Sequence, residues 1–93
     1  MTTDVLYHRK PELVAAEMDG ERVMMDIRSG KYFSLRGVGG FIWDQIENPT
    51  SINTVVAAVE AAFETSDHAE VEQDVSAFMD QMIEAGLVMA SNG

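Results

Sequence analysis

The chain offers few groups that could do covalent chemistry. Its 93 residues contain two histidines, His8 and His68, and no cysteine. Without a thiol there is no disulfide framework, no iron–sulfur cluster, no thiolate zinc site and no cysteine nucleophile. No H-x-x-x-H pair occurs, and no Gly-rich loop runs into Lys-Ser/Thr to cradle a phosphate. Asp26 to Gly30 loosely resembles the start of a calcium loop, but Arg28 occupies a ligand position and no Glu closes it. Gly37-Val38-Gly39-Gly40 lacks the strand–GxGxxG–helix context of a dinucleotide site, and its small residues suit a helix that starts close against a sheet. Composition alone would still permit a Ser/His/Asp arrangement, yet His8 falls in a terminal segment and His68 in a polar loop. The residues point away from an enzyme, a metal and a cofactor.

Charge narrows the partners. The sequence holds sixteen acids and six bases, and after residue 36 come ten of the acids and none of the bases. Phosphate backbones and anionic membranes are bound through Lys and Arg, so nucleic acid and membrane are not expected partners. No stretch approaches the ~18 apolar residues of a membrane span, and Met1 to Pro11 lack the apolar centre of a signal peptide. A cytoplasmic domain is the expectation.

The elements that would position any binding residues follow from pattern. Residues 1–11 show no clear period and are expected as a flexible tail or a weak first strand. Leu13–Met18 is a short apolar run ending at Asp19-Gly20, the strongest short hairpin signal, because a type I′ turn needs positive φ at both positions. Arg22–Ile27 sets Val23, Met25 and Ile27 opposite Met24 and Asp26. After the turn Arg28-Ser29-Gly30, Lys31–Leu35 sets Phe33 and Leu35 opposite Tyr32 and Ser34. Three antiparallel strands in a meander are predicted.

Beyond Arg36 the apolar period lengthens to 3.6. Val38, Phe41, Ile42 and Ile46 share one helical face, and Asn48-Pro49 ends it. Thr50 or Ser51 can cap a second helix carrying Ile52, Val55, Val56, Val59 and Phe63. A third helix is predicted from about Ala69 to Ala85, with Val71, Val75, Phe78, Met79, Met82 and Ile83 in one stripe and Gly86 as its left-handed cap. Leu87-Val88-Met89 is an apolar exit, either a strand or core filler, and 90–93 a short tail. Strands first and helices second predict an α+β domain with helices on one face of the sheet.

Such a meander suggests a binding mode. An open sheet edge presents unpaired N–H and C=O groups that a second chain can complete, while pockets beside it select side chains. The third meander strand would supply the edge, and Phe78, Met79 and Met82 would line pockets; the competing reading makes that Met and aromatic stripe core.

Glu21–Leu35 reads as a "vlLDlrsGkYfsL" segment, Gly39–Trp43 as "vGxxIW", and Asp74 through Val88 as "DVxxFxxxMxxxGLV". In this order and spacing the motifs resemble the PqqD-like family, small winged-helix-like peptide chaperones known as RiPP recognition elements, over residues 12–89. The segment looks more like the stand-alone proteins of lasso-peptide pathways than the chaperone of the quinone-cofactor pathway.

The resemblance implies that the leader of a ribosomally made precursor peptide adds as an antiparallel strand to the third meander strand, between it and the third helix. Lys31, Tyr32, Phe33, Ser34 and Leu35 would then form the docking edge. Asp74, Phe78, Met79 and Met82 would form the helix wall, with Asp74 pairing a basic leader residue. It also implies presentation to a leader peptidase of the cysteine-protease type, and a cyclase as a further partner. Arg36 stands where related sequences often have Asn, which puts the N-cap of the first helix in doubt. A winged-helix regulatory or DNA-binding protein and an acyl carrier are the competing classes. The first would want Lys or Arg on its recognition helix, and the second a Ser in an Asp-Ser-Leu/Met context.

Overall fold

The computed structural model describes residues 5–65 and 67–92. The predicted meander is present as β2 (Leu13–Met18), β3 (Glu21–Asp26) and β4 (Tyr32–Leu35), hydrogen-bonded in the order β2-β3-β4. Asp19 and Gly20 have φ of 51° and 81°, the two left-handed residues that a type I′ turn between β2 and β3 requires. Pairing places Met24 opposite Phe33 and Arg22 opposite Leu35. Met24, Phe33 and Leu35 therefore share the face turned to the helices, and Met24 is fully buried. The face carrying Val23, Met25 and Ile27 turns outward, and Ile27 is 60% exposed. Strand period separates the two faces; only the helices decide which one is covered.

Of the two expectations for the N-terminal segment, a flexible tail or a first strand, residues 5–9 meet the second and not the first. They form β1 (Val5–Arg9), the middle strand of a second sheet ordered β5-β1-β6, with β5 at Thr50–Ser51 and β6 at Val88–Asn92. Among the described residues there are thus two three-stranded antiparallel sheets, where the sequence suggested one. Most of the expected 90–93 tail belongs to β6. The tail expectation for residues 1–4 and 93 lies outside the described residues. Pairing across 79 to 87 residues (Arg9 with Val88, Val5 with Asn92) leaves no local signature in the sequence.

Arg9 explains why this strand stays docked. Its guanidinium donates to the Trp43 carbonyl at 3.0 and 2.7 Å and lies 4.7 Å from the Trp43 ring centroid. Arg22 meets the neighbouring Asp44 in a two-pronged contact at 2.9 and 2.6 Å, so both sheets are tied to the first helix. The Arg22 hydrogen bonds hold the Asp44 carboxyl below its ordinary range. A carboxyl with a lowered folded-state pKa stabilises above its unfolded pKa, and that contribution disappears as pH falls through the folded value. Wild type should therefore exceed Asp44→Asn in stability near neutral pH by about 1 kcal/mol or less, since the side chain is 40% exposed. The two urea curves should converge in acid; a difference independent of pH would show that the Asp44 charge is not what stabilises.

The described residues form three helices, α1 (Gly37–Gln45), α2 (Ile52–Ala62) and α3 (His68–Glu84). Ser51 caps α2 by accepting from the Thr54 N–H, and Asp67 caps α3 by accepting from the Ala69 N–H. Arg36 occupies the N-cap of α1 and gives it no side-chain hydrogen bond. Between helices and sheets lies one core: Met24, Ile42, Trp43, Ile46, Val55, Val56, Val59, Val75, Met79, Met82, Leu87 and Val88. The glycines at the start of α1 permit close approach, as expected. A Cβ on Gly40 would come within 3.3 Å of the Arg22 side chain and 3.5 Å of the Leu35 carbonyl oxygen.

Candidate functional site

β4 is an edge strand. It pairs with β3 on one side, and among the described residues no strand covers the other. The direction of its free groups follows from ladder alternation. Asp26 N–H donates to the Lys31 carbonyl at 2.9 Å. Successive opposite pairs alternate between bonded and non-bonded. Met24 with Phe33 and Arg22 with Leu35 therefore exchange bonds, while Tyr32 and Ser34 aim their N–H and C=O groups away from β3.

Beside the Ser34–Arg36 end of this edge opens a groove of about 550 Å³. Its walls are Ser34, Leu35 and Arg36 on one side and Val71, Asp74, Val75 and Phe78 of α3 on the other. Val38, Gly39 and Ile42 of α1, Val59 of α2, and Phe63, Glu64 and Thr65 just after α2 close it. The α3 members recur at i, i+3, i+4 and i+7, one helical face. Phe63 is held by an edge-on contact with Phe41, their ring centroids 5.2 Å apart. The surface is apolar with charge at its rim, the usual character of a ligand-binding groove.

Four of the nine residues singled out from the sequence meet at this groove: Ser34, Leu35, Asp74 and Phe78. Lys31, Tyr32 and Phe33 continue the same edge outside it; Tyr32 is 73% exposed, whereas Phe33 packs against the core. Met79 and Met82 do not line the groove, and the expected helix wall is corrected there. They are core residues at 0% and 5% exposure, because they sit on the flank of α3 that faces inward. Val71 takes their place in the wall. It stood in the predicted stripe, seven residues before Phe78, but period alone does not say which flank stays open. Val38 and Phe63 were also missed as site residues; their signal is apolar surface left exposed at helix ends.

Electrostatics divide the rim. Arg36 forms an ion pair with Glu21, and the Ser34 hydroxyl donates to the same carboxylate at 2.8 Å. The Ser34 bond, then Arg36, hold the Glu21 carboxyl below its ordinary range. The cation at the groove is thus already matched. Glu64 and Asp74 make no ion pair among the described residues.

Gly39 gives the wall its depth. A Cβ there would lie 3.3 Å from Cε1 of Phe78, a tight contact that the ring can relieve by swinging into the open groove. Gly39→Ala should leave the melting temperature unchanged or raise it, since Ala in a helix gains up to about 1 kcal/mol over Gly. The groove should become shallower, and a bound peptide should lose affinity. Thermal melts alongside peptide titration read both effects; unchanged affinity would place the Phe78 ring outside the contact surface.

Comparison with known proteins gives concordant results. The family model of PqqD, coenzyme PQQ synthesis protein D, matches residues 21–88. The structure is similar to TbiB1 solved in complex with the TbiA(beta) leader peptide, with 28% identity, a TM-score of 0.80, and coverage of 87% of this chain and 93% of that one. It is also similar in fold to lasso peptide synthetase B1 complexed with the leader peptide, at 24% identity and TM-score 0.79, covering 89% and 96% of the two chains. No curated protein matches the sequence significantly.

Proposed function

The chain belongs to the PqqD family, and from that premise we propose that it captures the leader segment of a ribosomally synthesised precursor peptide by strand addition to β4. The observation that carries the reading is the unpaired side of β4, with Tyr32 and Ser34 groups free, facing the apolar wall of α3. Backbone pairing along the edge supplies affinity, and the groove between Leu35 and Phe78 selects the side chain entering it. The similar TbiB1 was solved with a leader peptide, which supports a peptide of that class here. We read the protein as a winged-helix-like, non-catalytic binder, since strand addition needs no titrating nucleophile.

The pathway that fits best is lasso-peptide biosynthesis. There the complex would be presented to a leader peptidase of the cysteine-protease type, with a cyclase as a further partner, in the cytoplasm. No helix among the described residues is long and apolar enough to cross a membrane. Absence of Lys and Arg after residue 36 disfavours nucleic acid and supports a peptide client.

NMR titration with the leader encoded beside the gene tests the proposal. The Tyr32 and Ser34 amides should shift strongly and become protected from exchange, together with side-chain signals of Val71 and Phe78. Saturating leader that leaves the β4 amides unmoved would overturn it.

A further inference from the structure

We propose that the captured peptide carries Lys or Arg immediately N-terminal to the segment that pairs with β4. The inference rests on the strand-addition reading above and adds where along the ligand the positive charge must lie.

Direction comes first. β2, β3 and β4 alternate, and antiparallel pairing is the slightly more stable continuation of such a sheet. A guest strand running opposite to β4 begins beside Leu35 and ends beside Tyr32. Residues that precede the paired segment therefore pass beyond the Leu35–Arg36 end. The groove lies at that end: it takes Ser34, Leu35 and Arg36 from the strand and only residues up to Phe78 from α3.

Charge comes second. A depression lined by Glu64, Thr65, Asp67, Glu70, Val71 and Asp74 adjoins the groove, sharing Glu64, Thr65, Val71 and Asp74 with it. Glu64, Glu70 and Asp74 have no cationic partner among the described residues. Arg36, the one base at the groove, is engaged by Glu21. A peptide leaving the apolar groove on this side meets an uncompensated negative field. Complementary charge would raise both its encounter rate and its affinity, while an acidic segment would be repelled. The opposite end of β4 lacks this field, since Lys31 stands there. One ligand end is thus selected for positive charge and the other is not.

The test is selection from an mRNA-displayed library of random peptides on the folded protein, with the winners mapped by NMR. Peptides that protect the β4 amides should show Lys and Arg enriched over Asp and Glu on the N-terminal side of their apolar segment. Each added Lys should tighten binding roughly two- to fivefold at low salt, an advantage that shrinks as salt rises. Glu70→Gln, which lies outside the groove lining, should weaken the enrichment while binding an uncharged winner as tightly as wild type does. Winners at β4 with no charge preference, or with basic residues enriched on the C-terminal side, would overturn the inference and leave strand addition standing. Failure of every selected peptide to engage β4 would remove both.

Discussion

A Ser34→Pro variant is expected to keep the native circular dichroism spectrum and cooperative melt, yet to bind leader at least about tenfold more weakly. The Ser34 N–H points to the open side of β4, so its loss leaves the bonds to β3 intact. Proline is tolerated on an edge strand when its missing donor faces solvent. A guest strand loses one backbone bond there and meets the pyrrolidine ring where it should approach. Ser34→Ala is the control. It removes the hydroxyl bond to Glu21 at 2.8 Å but keeps the amide, and should bind nearly as wild type does. Leu35→Pro is a different experiment: that amide belongs to the exchange with Arg22, so its replacement attacks the fold itself. If Ser34→Pro bound leader normally, strand addition at β4 would be untenable.

Met79→Ala should give the largest loss of stability among the residues first assigned to the helix wall. Met79 is completely buried in the core, and such truncations cost about 2–5 kcal/mol through lost transfer energy and the cavity left behind. A small domain has only about 5–15 kcal/mol in total, so the variant should melt far earlier. At a temperature where it remains folded, its affinity for leader should be close to wild type, because the side chain is outside the groove. Met79→Leu, nearly volume-conserving, should restore most of the stability. Urea denaturation and titration on the same samples separate the two quantities. Weakened binding at unchanged stability would return Met79 to the peptide surface.

These two positions show how far the sequence could be read. Ser34 and Leu35 can be placed on the last strand of the meander from sequence because strand period, two bounding turns and the PqqD-like motif all coincide there. The family resemblance drawn from those motifs agrees with the match over residues 21–88. Met79 was misassigned for a definite reason. The apolar stripe of α3 spans Val71 to Ile83 and is wider than any single contact, so one flank meets the core and the other a groove. Ile83, at the far border of the stripe, is 37% exposed.

From sequence alone came whatever is set by neighbours along the chain. Asp19-Gly20 makes its turn because both residues tolerate positive φ, Ser51 caps α2 by a bond three residues away, and the missing cysteines close off whole chemistries. Tertiary structure decided which surfaces meet. It recruited residues 5–9 to β6, turned Met24 inward in place of Val23 and Met25, and opened a groove with Val38, Phe63 and Val71 in its walls. Local propensity acts over a few residues, whereas burial depends on what distant segments leave uncovered. A single period can therefore mark a face as apolar without saying whether core or ligand will cover it.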